Sequence, residues 1–491
     1  MGYNFRPVER DQQYLMPVSL RDWLPADDLA WFVLDAVGEL DLAPIYARYR
    51  SDGWGAPAFE PAMMTALLLY AYATGERSSR RIEARCRRDI AYRIITANQV
   101  PDHATIARFR ADHEATIRHL FDEVLRLCAQ AGLGRLGLIA LDGTKLAANA
   151  ALAANRTANA LEAEIDRILA EATAVDAAED AGFGPDRRGD ELPTELADPR
   201  SRLVRLQAAK RELAEAEAAR QADHAAHLAR RAKTEAATGK GLRGRKPAPP
   251  NPSPAAKANT TDPESRIMKA PTGYLQGYNA QAVVAADQIV LAADLTQSAA
   301  DAGQLHPMLK EAADNVARAG FRGRVGTALA DAGYWSEAGY LAASSSGSPE
   351  LLIATGKGWK LRREARAHPP RGRIPASLSL TDRMERRLLT GRGQARYRRR
   401  AQIVEPVFGQ IKDGRGVRRF SRRGRAACAA EWTLLCATHN LLKLWRSGRH
   451  RAAPPSPPPR RSRRRPSTGG RSGGRTDGRP RGGRPVPQRP A

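Results

Sequence analysis

Three carboxylates occupy chemically telling places in this sequence. Asp142 closes the apolar run LIALD and is followed by Gly143, Thr144 and Lys145. Asp331 closes TALAD and is followed by Ala332, Gly333 and Tyr334. Glu405 lies in VEPVFGQIK, just after the arginine-dense RYRRRAQI and seven positions before Lys412. Open α/β sheets bind ligands beyond the carboxyl ends of their strands. Two aspartates so placed, joined by a glutamate from a neighbouring helix, could converge on a hard divalent cation. Mg²⁺ takes oxygen ligands and is commonly held by one or two carboxylates with substrate phosphates completing the shell. Two such ions about 4 Å apart would activate a water or a 3′-hydroxyl and stabilise the leaving oxygen. Catalysis then rests on charge neutralisation and positioning.

Each acid also has a plainer reading. A lone aspartate at a strand end more often closes a turn or caps an element, and Asp287, Asp294 and Asp301 flank strands too. Glu405 alone reads as a solvated helix charge. A glycosidase pair made of Asp142 and Asp331 is set aside, because two catalytic carboxylates alone require no such cationic surround.

The bulk numbers narrow the partner. Lys and Arg number 79 against 53 Asp and Glu, a net charge of +26 in 491 residues. That excess favours a polyanion, either nucleic acid or an anionic membrane surface. No apolar run approaches the roughly 20 residues that span a bilayer, and MGYNFRPVERDQQYL lacks a signal peptide's apolar core. The four cysteines, Cys86, Cys128, Cys428 and Cys436, are scattered with no CxxC pair, which fits a reducing cytoplasm.

Helices and strands must position the acids. Residues 1–135 read as helical, with FEPAMMTALLLYAYATG closed by Gly75 and with Ile82, Cys86, Ile90 and Ile94 spaced to share one face. The next segment starts at a Pro-Asp pair and places Ile106, Phe109, Ile117, Leu120, Phe121, Val124 and Leu127 at helical spacing. Two basic helices around a turn at Val100–Asp102 could form a helix-turn-helix; an ordinary helical bundle with solvated arginines fits the spacing equally. GLIALDGTK reads as a buried strand ending at Asp142. Residues 156–240 return to helix-forming composition as two long helices, a coiled-coil-like hairpin, and 241–262 is a Gly/Pro/Ser-rich linker. YNAQAVVAADQIVLAADL gives two strands with Asp287 at the turn. A helix over GQLHPMLKEAADNVARAG, the strands TALAD and LLIAT, and the helices RRRAQIVEPVFGQIK and EWTLLCATHNLLKLWRSG follow. From 447 to 491 the chain is Arg/Pro/Gly-rich with almost no apolar content, and disorder is expected. The pattern is an α/β core, 136–155 and 263–446, interrupted by a helical insertion and preceded by an all-α domain.

LDGTKLAANA, ALADAGYWSE and RYRRRAQIVEPVFGQIKDGRGVRRFSRRG resemble the three catalytic blocks of the DDE transposases of bacterial insertion sequences. The last is similar to that group's Tyr–Arg–Glu–Lys signature, carried here by Tyr397, Arg400, Glu405 and Lys412. FEPAMMTALLLYAYATGERSSRRIE, VPDHATIARFR, NTTDPESRIMKAPTGYLQGYNAQ and EWTLLCATHNLLKL extend the resemblance over nearly all of 1–446. Two departures stand out. Four residues separate Arg400 from Glu405 where the commoner spacing is three, so Arg399 is a further candidate. The long insertion follows Asp142 rather than preceding the catalytic Glu.

The resemblance implies an RNase H-like core with Asp142, Asp331 and Glu405 as catalytic acids and metal ligands. It implies Mg²⁺, with Mn²⁺ as an alternative and two ions in all, and strand cleavage and transfer of an element's ends. Tyr397, Arg399, Arg400 and Lys412 would bind DNA. The partners expected are double-stranded DNA at terminal inverted repeats and at a target, and a second or further copy of the chain, in a nucleoid-associated setting in the cytoplasm. The basic N-terminal helices would recognise the repeats, and the tail would add salt-dependent affinity. A catalytically silent DNA-binding derivative and a stand-alone RNase H-like nuclease are the alternatives.

Overall fold

The computed structural model describes residues 19–50, 57–183, 202–239, 241, 247–250, 256–271, 273–344, 348–356, 363 and 368–449. The basic tail from 450 onward, and residues 242–246 and 251–255 of the linker expected at 241–262, lie outside the described residues.

The N-terminal part is all helix. Asp28 caps α1 (Leu29–Gly38), accepting from the Ala30 N–H at 2.8 Å, and the short α2 (Ala43–Tyr46) follows. α3 (Pro61–Ala73) is apolar on every side and almost wholly buried, so it forms the centre of this layer. Gly75, at φ +87°, closes it as expected. The face proposed through Ile82, Cys86, Ile90 and Ile94 does not form as one stripe. Asp89 ends α4 (Ser79–Arg88) in an extended conformation and caps α5 (Ile90–Ile95) by accepting from the Ala91 N–H at 3.0 Å. The capping preference of aspartate outweighs the helical period. Ile82, Cys86 and Ile94 are buried and Ile90 is exposed. Asp102 caps α6 (His103–Asp112) in the same way, and α7 (Ile117–Gln130) buries Ile117, Leu120, Phe121 and Val124.

The sheet forms where the period changes. β1 (Leu138–Ala147) pairs antiparallel with β5 (Gly273–Ala285) from Ile139↔Ala285 to Ala147↔Gly277. On its other edge it pairs parallel with β7 (Thr327–Ala330), the last pair being Ala140↔Leu329. β8 (Glu350–Ile353) continues the sheet in parallel beyond β7. β6 (Val290–Thr296) and β4 (Arg266–Ala270) both pair antiparallel with β5. Asp142 therefore does not end its strand, as LIALD suggested. Pairing with β5 carries β1 on to Ala147, and it is the pairing with β7 that stops beside Asp142.

A two-stranded ribbon of β2 (Asn155–Thr157) and β3 (Lys257–Asn259) closes the base of the insertion. Its helices α8 (Ala158–Phe183) and α9 (Arg202–Thr238) pack through Leu161, Ile165 and Ile168 against Leu203, Leu206 and Ala209, forming a small core separate from the main one. In the main body α10 (Leu305–Arg318) and α11 (Glu337–Ala343) flank the sheet. They are followed by α12 (Leu380–Leu389), α13 (Gly391–Tyr397), α14 (Arg399–Gly409), a π-helical turn (Gln410–Gly414) and α15 (Arg425–Ser447).

α15 ties the layers together. It packs on α3, α7 and β6, and buries even its polar residues Glu431, Thr438, His439 and Asn440. Those groups are satisfied: the Asn440 amide donates to the Val290 carbonyl and accepts from its N–H, each at 2.8 Å, and the Trp432 indole donates to the Gln281 carbonyl at 2.9 Å. β1 and β5 meet so closely that a Cβ on Gly277 would lie 2.1 Å from the Leu146 carbonyl oxygen. We expect Gly277→Ala to lower the urea midpoint, by roughly 1–3 kcal/mol of overpacking, whereas Gly137→Ala just before β1, with open space beside it and no left-handed backbone, should lower it less.

Candidate active site

The site is a gap in one sheet edge. Beyond Leu141 that edge of β1 has lost β7, and it is next occupied at Ala147, which bridges in parallel to Arg419. The Ala147 N–H donates to the Arg418 carbonyl at 3.2 Å, and the Phe420 N–H donates to the Ala147 carbonyl at 2.8 Å. Among the described residues no strand pairs with the edge between these points, which carries Asp142, Gly143, Thr144 and Lys145. One end of the gap holds acids and the other the arginine-rich loop 415–423.

Asp142 is half-buried. Its Oδ1 accepts from the Gly143 N–H at 2.8 Å and its Oδ2 from Arg400 Nη1 at 2.8 Å. Burial raises its pKa above the ordinary carboxylate value, the Arg400 charge opposes that rise, and the neighbouring Asp331 adds to it. Arg400 shows the same balance reversed: burial is the largest influence and disfavours its charge, but Asp142, Tyr397 and Asp331 together outweigh it and raise the pKa of the guanidinium. Asp331 follows the last residue of β7 and caps a 3₁₀ turn, accepting from the Gly333 N–H at 2.9 Å.

α14 supplies the cations. It buries Ile403, Val404 and Val407, and the next turn buries Ile411, so the phase of the helix is fixed against the sheet. Pro406 does not break it. Proline cannot donate to the carbonyl four residues back, and the freed Gln402 carbonyl accepts instead from Gln288 Nε2 at 3.2 Å, from the β5–β6 turn. The π turn changes the phase after Gln410, so Lys412 is not at a regular two-turn spacing from Glu405. Lys412 bonds the Thr144 hydroxyl on β1. Burial and the Arg418 charge pull its pKa below the usual lysine value.

Of the two arginines left open by the sequence, Arg400 reaches Asp142 while Arg399 is exposed. Tyr397, the last residue of α13, packs partly buried against the main core, close enough to Arg400 for its charge to be felt there. Glu405 is exposed on the same helix as Arg400. Among the described residues no three His, Cys, Asp or Glu side chains are grouped as a ready metal-ligand set. The structure thus brings Asp142, Asp331 and Arg400 together, and Lys412 to the next residues of β1, and leaves Glu405 facing solvent.

The donors nevertheless suit a hard cation. They are oxygens, no cysteine or histidine competes, and the amide oxygen of the fully buried Asn279, close beside Gly143, has no hydrogen-bond partner. Asn279, Gln281, Thr144 and Tyr334 were missed by sequence reasoning. The available sign was the polar pair Asn279 and Gln281, two apart on one face of an otherwise apolar strand.

Behind the gap, loop 415–423 is anchored inward. Arg415 is buried, and among the described residues its guanidinium donates only to neutral oxygens: Thr438 Oγ1 at 2.7 Å, Leu435 O at 3.0 Å and Tyr72 O of α3 at 3.3 Å. Burial draws its pKa down to about 10. Buried Glu431 accepts from Arg77 Nη1 at 2.7 Å and from the Ser421 N–H at 3.0 Å. Two of the chain's arginines thereby link the N-terminal helices to the loop beside the acids.

The Asp142–Arg400 pair gives a pH test. The attraction exists only when Asp142 is ionised, and burial has raised that carboxyl's folded pKa. Arg400→Gln should therefore cost roughly 2 kcal/mol at neutral pH, and that cost should disappear as pH falls through the raised pKa of Asp142 and both proteins carry it protonated. Denaturation with a chelator present, across pH, reads this directly.

Two stretches match known family models. Residues 18–112 match a transposase domain (DUF772), and residues 370–445, which include Tyr397, Arg400, Glu405 and Lys412, match a transposase DDE domain. No curated protein and no solved structure matches the chain. With the one near its N-terminus and the other toward its C-terminus, the two matches make the chain similar to, and are consistent with, a DDE-type transposase of an insertion sequence.

Proposed function

We propose that this transposase cleaves and joins DNA strands in a divalent-cation-dependent reaction at the terminal inverted repeats of its element. The observation that carries the reading is the interleaving of charge at the gap in β1, where Asp142 and Asp331 stand beside Arg400 and Lys412. An acid pair alone would repel DNA, and cations alone would only bind it. The parallel β7–β1 pairing with antiparallel β5 suits an RNase H-like core.

Asp142, Asp331 and Glu405 would hold Mg²⁺ or Mn²⁺, two ions in all. Such ions supply Lewis-acid activation of the attacking oxygen and stabilisation of the leaving one. Arg400 neutralises Asp142 in the free protein, and its planar fork can transfer to a phosphate. Lys412 and Arg399 extend that grip along the backbone, and Tyr397 packs beside the strand end. The basic helices of 1–135 would read the repeats, with two or more copies of the chain in the DNA complex.

The test is a nicking and joining assay on duplexes carrying the cognate ends, beside a binding assay at stated salt. Asp142→Asn, Asp331→Asn and Glu405→Gln should each lower nicking by roughly 10²-fold or more and leave duplex binding intact. Metal-dependent nicking retained in all three rejects the assignment. Cleavage without joining would indicate a nuclease, and binding without cleavage a silent derivative. Lys412→Ala should reduce the slope of log affinity against log salt by about one.

A further inference from the structure

The face of β1 opposite Asp142 carries a polar pocket that the reaction above leaves unused. Side chains alternate along a strand, so Gly143 and Lys145 face the other way, beside their cross-strand partners Gln281 and Asn279. Both amides are buried and converge on Asp301, in the loop between β6 and α10. Asn279 Nδ2 donates to Asp301 Oδ1 at 2.7 Å and Gln281 Nε2 to the same oxygen at 2.8 Å. Gln281 Oε1 accepts in turn from the Tyr334 hydroxyl. Asp301 Oδ1 is thus fixed by two amides, as metal-binding carboxylates commonly are by their neighbours.

Asp301 Oδ2 is differently placed. Its nearest cation is Lys145 Nζ at 4.0 Å, too far for a hydrogen bond. A Cβ on Gly333 would lie 3.1 Å from this oxygen and 3.1 Å from Asp331 Oδ1. A Cβ on Gly143 would lie 2.3 Å from Gln281 Nε2, and 2.9 Å from both Asp301 Oδ1 and the unpartnered amide oxygen of Asn279. The space at Gly333 is therefore bordered by two carboxylate oxygens, and that at Gly143 by an amide nitrogen and two oxygens, one of them buried without a donor. A neutral polar group left so has lost its water without a replacement partner, and two carboxylates sharing a glycine repel. The buried Tyr334 phenol registers the same crowding: burial first, then Asp301, Asp142 and Asp331, raises its pKa. A hard divalent cation relieves both penalties, because it takes carboxylate and amide oxygens alike.

We propose that Asp301 is a further carboxylate ligand of the divalent cation held at Asp331, oriented by Asn279 and Gln281. The proposal rests on the cation-dependent reading of the site, and it adds a residue outside the Asp142, Asp331 and Glu405 set. Asp301 faces the cation from the side of the sheet opposite α14.

The test measures metal without relying on activity. Mn²⁺ binding to the intact chain, without DNA, is followed by the paramagnetic signal of the free ion. Asp301→Asn preserves the shape and one acceptor oxygen, and it should weaken Mn²⁺ binding by about tenfold or more while its melting temperature in chelator stays near that of the parent. Lys145→Gln, which removes the ammonium nearest Asp301 Oδ2 among the described residues, should tighten Mn²⁺ binding; were Asp301 merely a partner of Lys145 away from the ion, neither variant would change it. A second measurement needs no variant: Fe²⁺ bound in place of the natural ion, with ascorbate and peroxide, should cut the wild-type backbone near 301 as well as near 331. Unchanged Mn²⁺ affinity in folded Asp301→Asn, or cuts confined to the Asp142 and Asp331 segments, overturns the role of Asp301 and leaves the cation-dependent reading standing. A wild-type chain that binds no Mn²⁺ overturns both.

Discussion

The contact between Arg400 and Asp142 is what allows β1 to carry an acid in a half-buried position. Without it, burial and the repulsion of Asp331 would both favour the protonated carboxyl. The contact in turn depends on the phase of α14, since only one residue of the run Arg398–Arg400 can face the strand. That phase is set by apolar burial at Ile403, Val404, Val407 and Ile411 and by the bond from Gln288 to the carbonyl that Pro406 leaves free. An electrostatic arrangement at the edge of the sheet is therefore held by packing on a helix and by one amide from a distant turn.

The gap in β1 has the same logic. A strand that outruns its neighbour exposes unpaired backbone, ordinarily a liability. Here the exposed stretch is short, closed at one end by Asp331 and at the other by the Arg419 bridge. The stretch cannot pair with another strand without displacing side chains that are themselves anchored. Acid and base thus approach from opposite ends of one opening, so that a phosphate backbone lying along it would meet both.

Much of this was legible in the sequence, for definite reasons. Apolar runs ending in Asp-Gly or Asp-Ala-Gly singled out Asp142 and Asp331, because buried strands are apolar and their ends polar; Asp331 does follow its strand, whereas β1 runs on past Asp142 and only its pairing with β7 stops there. The Arg/Glu/Lys block stood out by charge alone. What was not legible depended on phase or on distance. Whether Arg399 or Arg400 faces the strand is decided by where α14 begins, after the break at Arg398, and nothing local fixes that. Ile90 fitted the helical period, yet Asp89 interrupted it. Asp301 was indistinguishable from Asp287 and Asp294, since its setting comes from amides on β5 some 20 residues earlier. Asp287 has a different occupation, accepting from the backbone of Gly134 and Arg135.

Arg415 has a mechanical consequence. A guanidinium sealed from water and offered only neutral oxygens is tolerable while its walls stay closed, and one of those walls is the backbone of α3. Peeling the first helices away would leave that charge facing a torn interior, so the amino-terminal helices cannot act as a reader on a loose tether. They and the edge of β1 that carries Asp142 share one frame, and strain applied at either is felt at the other.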